Sequence, residues 1–178
     1  GWVSSVGQYV DRFETEIASV CGTAHGVAIV NGTAALEIAL RVIGVMPDDE
    51  VLMPSMTFIA TANATHHLGA IPHFIDVEER TLGLDPIALR VHLNAITARR
   101  NGVTVNALTG RRLAAVVPMH VFGHPVDMCA LAEVARDFDI PVVEDAAESL
   151  GSTLVDRPCG SLARIAALSF NGNKIITT

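Results

Sequence analysis

The chain has 178 residues, a formal charge of −7 and a pI near 5.4, which is one domain's length and excludes a general nucleic-acid binder, since phosphate neutralisation needs clustered Lys and Arg. Half of the residues are apolar and only 17% are charged, so an aliphatic core is expected and a disordered chain is not. No apolar run reaches the ~18–20 residues that span a bilayer, so no membrane partner is expected.

Val6, Val10, Phe13, Ile17 and Val20 recur at helical spacing and predict a first amphipathic helix. GVAIV (26–30) reads as a short strand, and Asn31 or Thr33 then caps a helix, AALEIALRVIG, stopped at Gly44. EVLMP (50–54) is a strand closed by proline. TFIATANATHHLG is a helix ending at Gly69, and IPHFIDV is the next strand. Leu84-Asp85-Pro86 starts another helix, while ARRNGVTVNALTGRR is expected as a surface excursion, including its arginine pairs Arg99-Arg100 and Arg111-Arg112. LAAVVPMH (113–120) reads as a buried strand, VDMCALAEVARDF (126–138) as a helix begun by Asp127, and IPVVEDAAE and ARIAALSF carry the last strands. Apolar strands alternating with helices predict an α/β domain with a mainly parallel sheet, whose ligands gather at the carboxyl ends of the strands.

Those ends carry a recognisable set of groups. Asn31-Gly32-Thr33 opens a helix, where unpaired amides and the dipole suit an anion, although an ordinary N-cap explains the triplet as well. It fits neither GxGxxG nor GxxxxGK[ST], which disfavours a dinucleotide or P-loop domain. Asp145 ends a strand, where it needs a partner for its charge. Lys174 is the only lysine, against eleven arginines (12 − 1). A primary amine can form a Schiff base and a guanidinium cannot, so a chemical requirement would explain the exception. An anion cradle, an aromatic, a strand-end acid and an amine are together what pyridoxal phosphate requires.

Two histidine positions compete poorly. His66 and His67 are adjacent on a helix and face different ways, so they do not chelate together. His120 is expected as a satisfied structural histidine beside the site. Phe13 belongs to the core, and Cys21, Cys129 and Cys159 lack metal-ligand spacing. They read as reduced thiols in a cytoplasmic setting, and no metal is expected. The start of the chain shows no basic region followed by an apolar stretch, so no signal peptide is expected.

NGTAALEIAL, PSMTFIATAN, PMHVFGHPVDM, VVEDAAESLGS and SFNGNKIITT occur in that order and resemble the DegT/DnrJ/EryC1/StrS family of sugar aminotransferases. TGRRLAAVVPMHVFGHP further resembles the branch acting on nucleotide-linked 4-keto-6-deoxy sugars on the way to legionaminic-acid-like products. The resemblance implies the aspartate-aminotransferase fold (fold type I) and pyridoxal 5′-phosphate as cofactor. Lys174 and Asp145 are the implied catalytic residues, Lys174 attaching the cofactor and moving a proton, Asp145 pairing with its pyridinium nitrogen. Phe58 is implied to stack on one face of the ring and Ala147 to back the other. Gly32, Thr33, Ala34 and Ser169 are implied to hold the phosphate. Glu148 stands where the family often has glutamine or histidine near the phenolic oxygen, and a carboxylate there is repulsive unless protonated or bridged.

The implied reaction moves an amino group from glutamate to a nucleotide-linked keto sugar, in a homodimer whose active site is shared. Members are about twice this length, so residues 1–178 are expected to be part of the cofactor-binding large domain, without the small C-terminal domain. Two alternatives share the fold: a cofactor-dependent sugar dehydratase, whose branch has histidine at the lysine position, and a non-catalytic regulatory protein.

Overall fold

The computed structural model describes residues 7–178; Val6, the first of the apolar residues assigned to the leading helix, lies outside them. The leading helix, α1, spans Gln8–Cys21 and ends on Gly22, whose φ of 66° is the left-handed conformation that closes a helix without a Cβ penalty. Phe13 meets Phe170 edge-on at 4.9 Å, which docks α1 on the end of the chain.

The segment GVAIV does not form a strand. The Ala28 N–H donates to Glu14 Oε1 at 2.7 Å, so a side chain of α1 takes a bond that a ladder would need. Val27 and Val30 are exposed, and a Cβ on Gly26 would stand 2.5 Å from the Glu14 carbonyl oxygen, so this glycine permits the close approach to α1.

Helix α2 (Gly32–Val42) is capped by Asn31, whose Oδ1 accepts the Ala34 N–H at 2.8 Å. Strand β1 (Glu50–Pro54), helix α3 (Ile59–His67) and strand β2 (Ile71–Ile75) follow, and β1 and β2 pair in parallel. Helix α4 (Pro86–Ile96) starts on Asp85, with proline at its first position, where a missing N–H is harmless. The expected surface excursion is an antiparallel hairpin of β3 (Thr97–Arg100) and β4 (Val103–Asn106), and Thr104, Val105 and Asn106 are buried. Its polar residues face inward because Thr104 donates to the Phe138 carbonyl and Asn106 to Glu50.

Strand β5 (Leu113–Val116) pairs in parallel with β1. A 3-10 turn (Val121–Gly123) and helix α5 (Met128–Asp137), capped by Asp127 as expected, lead to β6 (Val143–Asp145). A small hairpin of β7 (Thr153–Leu154) and β8 (Arg157–Pro158) precedes β9 (Ile165–Ala167), which lies parallel to β6. Parallel bridges Val116–Val142 and Met119–Asp145 join β5 to β6. The strands therefore run β2-β1-β5-β6-β9, all in one direction.

The two-residue period of the strands divides the core. Val51, Met53, Ala115, Val117 and Val143 pack with Leu36, Leu40 and Leu68 from the side of α2 and α3. Leu52 and Val116 face the other way, onto Leu89, Leu93, Leu131 and Val134 of α4 and α5. Buried on both faces, the strands are near-continuously apolar, which made them legible. Each fully buried leucine contributes about 1.5–3 kcal/mol.

At the amino end of β1, Glu50 is 3% exposed and accepts from Thr109 Oγ1 at 2.6 Å and Asn106 Nδ2 at 2.9 Å. His73 Nδ1 lies 2.8 Å from the same carboxylate, and His73 Nε2 is 2.7 Å from His92 Nε2, linking β1, β2 and α4. Burial alone would push the Glu50 carboxyl up, but hydrogen bonds from Thr109, Asn106 and His73 together hold it below the ordinary glutamate value. A depressed carboxyl stabilises the fold fully above its unfolded pKa, and that stability is lost as pH falls through the folded value. Acid melts of the full-length protein are expected to show this loss below the ordinary glutamate range, and Glu50→Gln to shallow the slope there; an unchanged slope would refute the network's role.

Candidate active site

The carboxyl ends of β1, β6 and β9, with the start of α2, define the site. Alternation along β6 sends Asp145 to the α2/α3 side, where it is 2% exposed. Its Oδ2 accepts from Thr61 Oγ1 at 2.8 Å and its Oδ1 from the Ala147 N–H at 3.2 Å. Burial pushes the Asp145 carboxyl up, against a downward pull from Thr61, Ala147 and the nearby charge of Lys174. A carboxylate this deep, contacted by neutral donors, has room in its energetics for a cation.

Lys174 follows β9 in a turn closed by its N–H on the Asn171 carbonyl at 2.9 Å. Its side chain is 11% exposed, and Nζ reaches Glu148 Oε1 at 3.0 Å. Nζ also stands 5.3 Å from the centre of the Phe58 ring, within cation–π range. Phe58 ends the loop after β1 and the residue is 54% exposed, which leaves it open for stacking. Its N–H points at Met119 Sδ at 3.3 Å, and Thr57 Oγ1 reaches the same sulfur at 3.2 Å, so the segment that follows β5 fixes the loop that carries it.

At the start of α2, a Cβ on Gly32 would stand 3.1 Å from Ser169 Cβ and 3.2 Å from Oγ. Helix start and hydroxyl thus adjoin, with Gly32 and Thr33 placing their amides at the open helix end. The Ala34 amide is already taken by the Asn31 cap, so Ala34 borders the cradle with its donor engaged. Ala147 is half-buried between Asp145 and Glu148. An amine, a buried acid, an open aromatic and an anion cradle fit pyridoxal phosphate, and these residues would hold it. His66 and His67, exposed at the end of α3, stand apart from this set.

Sequence reasoning missed three contributors. Thr61 lies in the first turn of α3, three residues past Phe58, and its hydroxyl in an apolar helix face was the available signal. Met119 carried none, since methionine is an ordinary core filler. Glu144, adjacent to Asp145, is 0% exposed. Its oxygens accept the N–H groups of Gly160 at 2.5 Å, Leu162 at 2.8 Å and Ala163 at 3.2 Å, and His120 Nε2 lies 3.0 Å away.

His120 is fully buried, as a structural histidine should be. Burial lowers its pKa, while Cys159 and Glu144 raise it, to about 9. The Val126 N–H aimed at Nδ1 at 3.2 Å points the other way, because a protonated Nδ1 cannot accept. The amide decides: both ring nitrogens are satisfied by a neutral imidazole whose proton on Nε2 faces Glu144. His120, Glu144 and Cys159 bring their donor atoms within 4.8 Å, a cluster that their spacing in the chain did not announce. The carboxylate is already saturated by amides and imidazole, so the trio is a self-satisfied network bracing the loop before β9.

Such a sheet, with a lysine, an acid and a helix-start cradle at its carboxyl edge, defines a pyridoxal-phosphate protein of fold type I. Residues 1–178 match the DegT/DnrJ/EryC1/StrS aminotransferase family along their whole length, and the chain belongs to that family. It is 42% identical over 177 residues to a GDP-perosamine synthase of Caulobacter vibrioides, a match covering 99% of this chain and 43% of that protein. The structure of DesI in the presence of its TDP-sugar product superposes with a TM-score of 0.84 at 34% identity, covering 99% of this chain and 40% of that one. The PLP form of a sugar aminotransferase described as putative, Spr1654 from Streptococcus pneumoniae, superposes with a TM-score of 0.84 at 30% identity, covering 99% and 45%. The chain therefore spans less than half the length of the relatives that it matches. Pyridoxal phosphate is the cofactor of this family's aminotransferases. Among the described residues, no helix is long and apolar enough to cross a membrane.

Proposed function

We propose that this chain is the cofactor-binding large-domain portion of an aminotransferase that moves an amino group from glutamate to a nucleotide-linked keto sugar. The observation that carries the reading is the largely buried Lys174 side chain, its amine set 5.3 Å from the Phe58 ring on the same sheet edge as the buried Asp145. Bound there, the cofactor supplies an electron sink for the carbon that loses and gains a proton. Lys174 would hold the cofactor covalently, and its ε-nitrogen is the group placed to hold and move that proton. Asp145, fixed by Thr61 and Ala147, would present an anion to the ring nitrogen, and its burial would strengthen that attraction. Phe58 excludes water from one face, and Gly32, Thr33 and Ser169 orient the phosphate.

The sugar class follows from the relatives: a GDP-perosamine synthase and a protein solved with its TDP-sugar product both support a nucleotide-linked substrate. The motif TGRRLAAVVPMHVFGHP favours a UDP-linked 4-keto-6-deoxy sugar within that class. We assign the working enzyme to a homodimer in the cytoplasm. Lys174 speaks against the dehydratase alternative, and an intact lysine–acid pair speaks against a purely regulatory protein.

The test is incubation of the full-length protein with glutamate and a panel of GDP-, TDP- and UDP-linked keto sugars. Amino sugar and 2-oxoglutarate are expected in equal amounts from at least one sugar. Cofactor bound through Lys174 with no amine transfer to any sugar would sink the substrate class and leave the fold reading standing.

A further inference from the structure

The site contains one charge pair that the proposed reaction must repeatedly break and remake. With its amine free, Lys174 bonds to Glu148 Oε1 at 3.0 Å, and the two side chains are 11% and 21% exposed. The carboxylate is held for this contact: its Oε2 accepts the Phe122 N–H at 3.1 Å. Phe122 lies in the left-handed region at φ 52°, an unfavourable conformation for a bulky residue, inside the turn Val121–Gly123. Gly123, at φ 82°, packs so closely that a Cβ there would stand 2.9 Å from the Glu148 carbonyl oxygen. Ser152 Oγ, bonded to the Gly123 carbonyl at 2.7 Å, braces the turn from behind. A side chain and a strained turn are thus both arranged around one carboxylate oxygen, leaving the other for the lysine.

We propose that Glu148 biases the loaded enzyme toward the amine form of its cofactor; the inference rests on the covalent role of Lys174 given above. In the first half-reaction the donor amino acid becomes a 2-oxo acid, and the cofactor aldehyde becomes an aminomethyl group. The nitrogen and two electrons pass from donor to cofactor, and water supplies the oxygen of the oxo acid. Lys174 leaves the cofactor in the same exchange and regains its own amine. As an ammonium it carries three hydrogens and can give one to Glu148, as it does in this structure; tied to the cofactor, the same nitrogen carries at most one. The ammonium pair, with its three donors, is therefore available only to the form in which Lys174 is free, and whatever it contributes beyond a single imine N–H shifts the equilibrium between the two. A neutral glutamine at this position would not supply this bias.

The test uses full-length protein loaded with pyridoxal phosphate and equilibrated with glutamate and 2-oxoglutarate at fixed ratios. Absorbance reads the proportion of aldehyde and amine forms without any sugar substrate. Glu148→Gln keeps an acceptor for the Phe122 N–H but removes the charge, and is expected to shift the balance about fivefold toward the aldehyde form, the scale of a partly exposed ion pair. Glu148→Asp, which keeps the charge, is expected to fall between the two. An unchanged balance in Glu148→Gln, with the cofactor still reducible onto Lys174 by borohydride, would overturn the inference alone. Absence of any lysine-linked cofactor in the unsubstituted protein would overturn the functional reading and this inference together.

Discussion

Lys174→Ala in the full-length protein is expected to abolish amine transfer and to leave no cofactor fixed to the protein after borohydride reduction. The side chain removed is the only primary amine on a side chain in residues 1–178, so no neighbouring lysine within them can substitute. General acid–base catalysis by a positioned group contributes about 10²–10⁴-fold, and covalent attachment adds to that, so residual turnover should lie at least roughly a thousandfold down. Binding and attachment separate cleanly in this variant. The Asp145 carboxylate, the Phe58 face and the Gly32–Ser169 cradle remain, so cofactor should still bind reversibly, with an absorbance close to that of the free aldehyde. Lys174→Arg keeps the charge facing Glu148 yet cannot attach a cofactor, and it should be as inactive as alanine. Activity within tenfold of the unsubstituted enzyme in either variant would refute the assignment.

That lysine was legible because its chemistry is carried by residue type, whatever its surroundings. The sheet was legible for a different reason: strands buried on both faces are written as apolar runs such as LAAVV and EVLM, and Asn31, Asp85 and Asp127 announce their helices by local hydrogen bonding. Reading failed where the outcome depended on distant neighbours. GVAIV has strand composition but lies against α1, where Glu14 captures one of its amides across fourteen residues of chain. ARRNGVTVNALTGRR looks like a solvated loop, and its inward polar residues make sense only beside Glu50 and Phe138. The site divides the same way. Asp145 and Phe58 are conspicuous at strand ends, whereas Thr61, its partner 84 residues away, has no meaning until α3 crosses the end of β6.

Glu144 is the sharpest instance, because its neighbour Asp145 draws the eye while Glu144 faces the opposite side of the sheet. Glu144→Ala is expected to destabilise the protein by about 3–5 kcal/mol, the upper end for a single substitution, because several buried donors are left unmet at once. The reason is local and countable: the amides of Gly160, Leu162 and Ala163 and the Nε2 of His120 all lose their acceptor in a region closed to water. Leaving a buried donor unmet costs about 1–3 kcal/mol, and loop relaxation would recover part of the sum. The loss would propagate to the site, since the freed loop runs into β9 and then to Ser169 and Lys174, while His120 fixes the turn that carries Phe122. Glu144→Gln separates the effects of charge and shape. Its amide oxygen can still accept while its NH₂ group faces donors, so an intermediate loss of roughly 1–3 kcal/mol is expected. Denaturant midpoints of the full-length variants measure the stability, and cofactor dissociation rates at a temperature where both are folded measure the transmission to the site. A change below about 1 kcal/mol in Glu144→Ala would mean that water reaches these amides, and that the cluster neither clamps the loop nor positions the lysine.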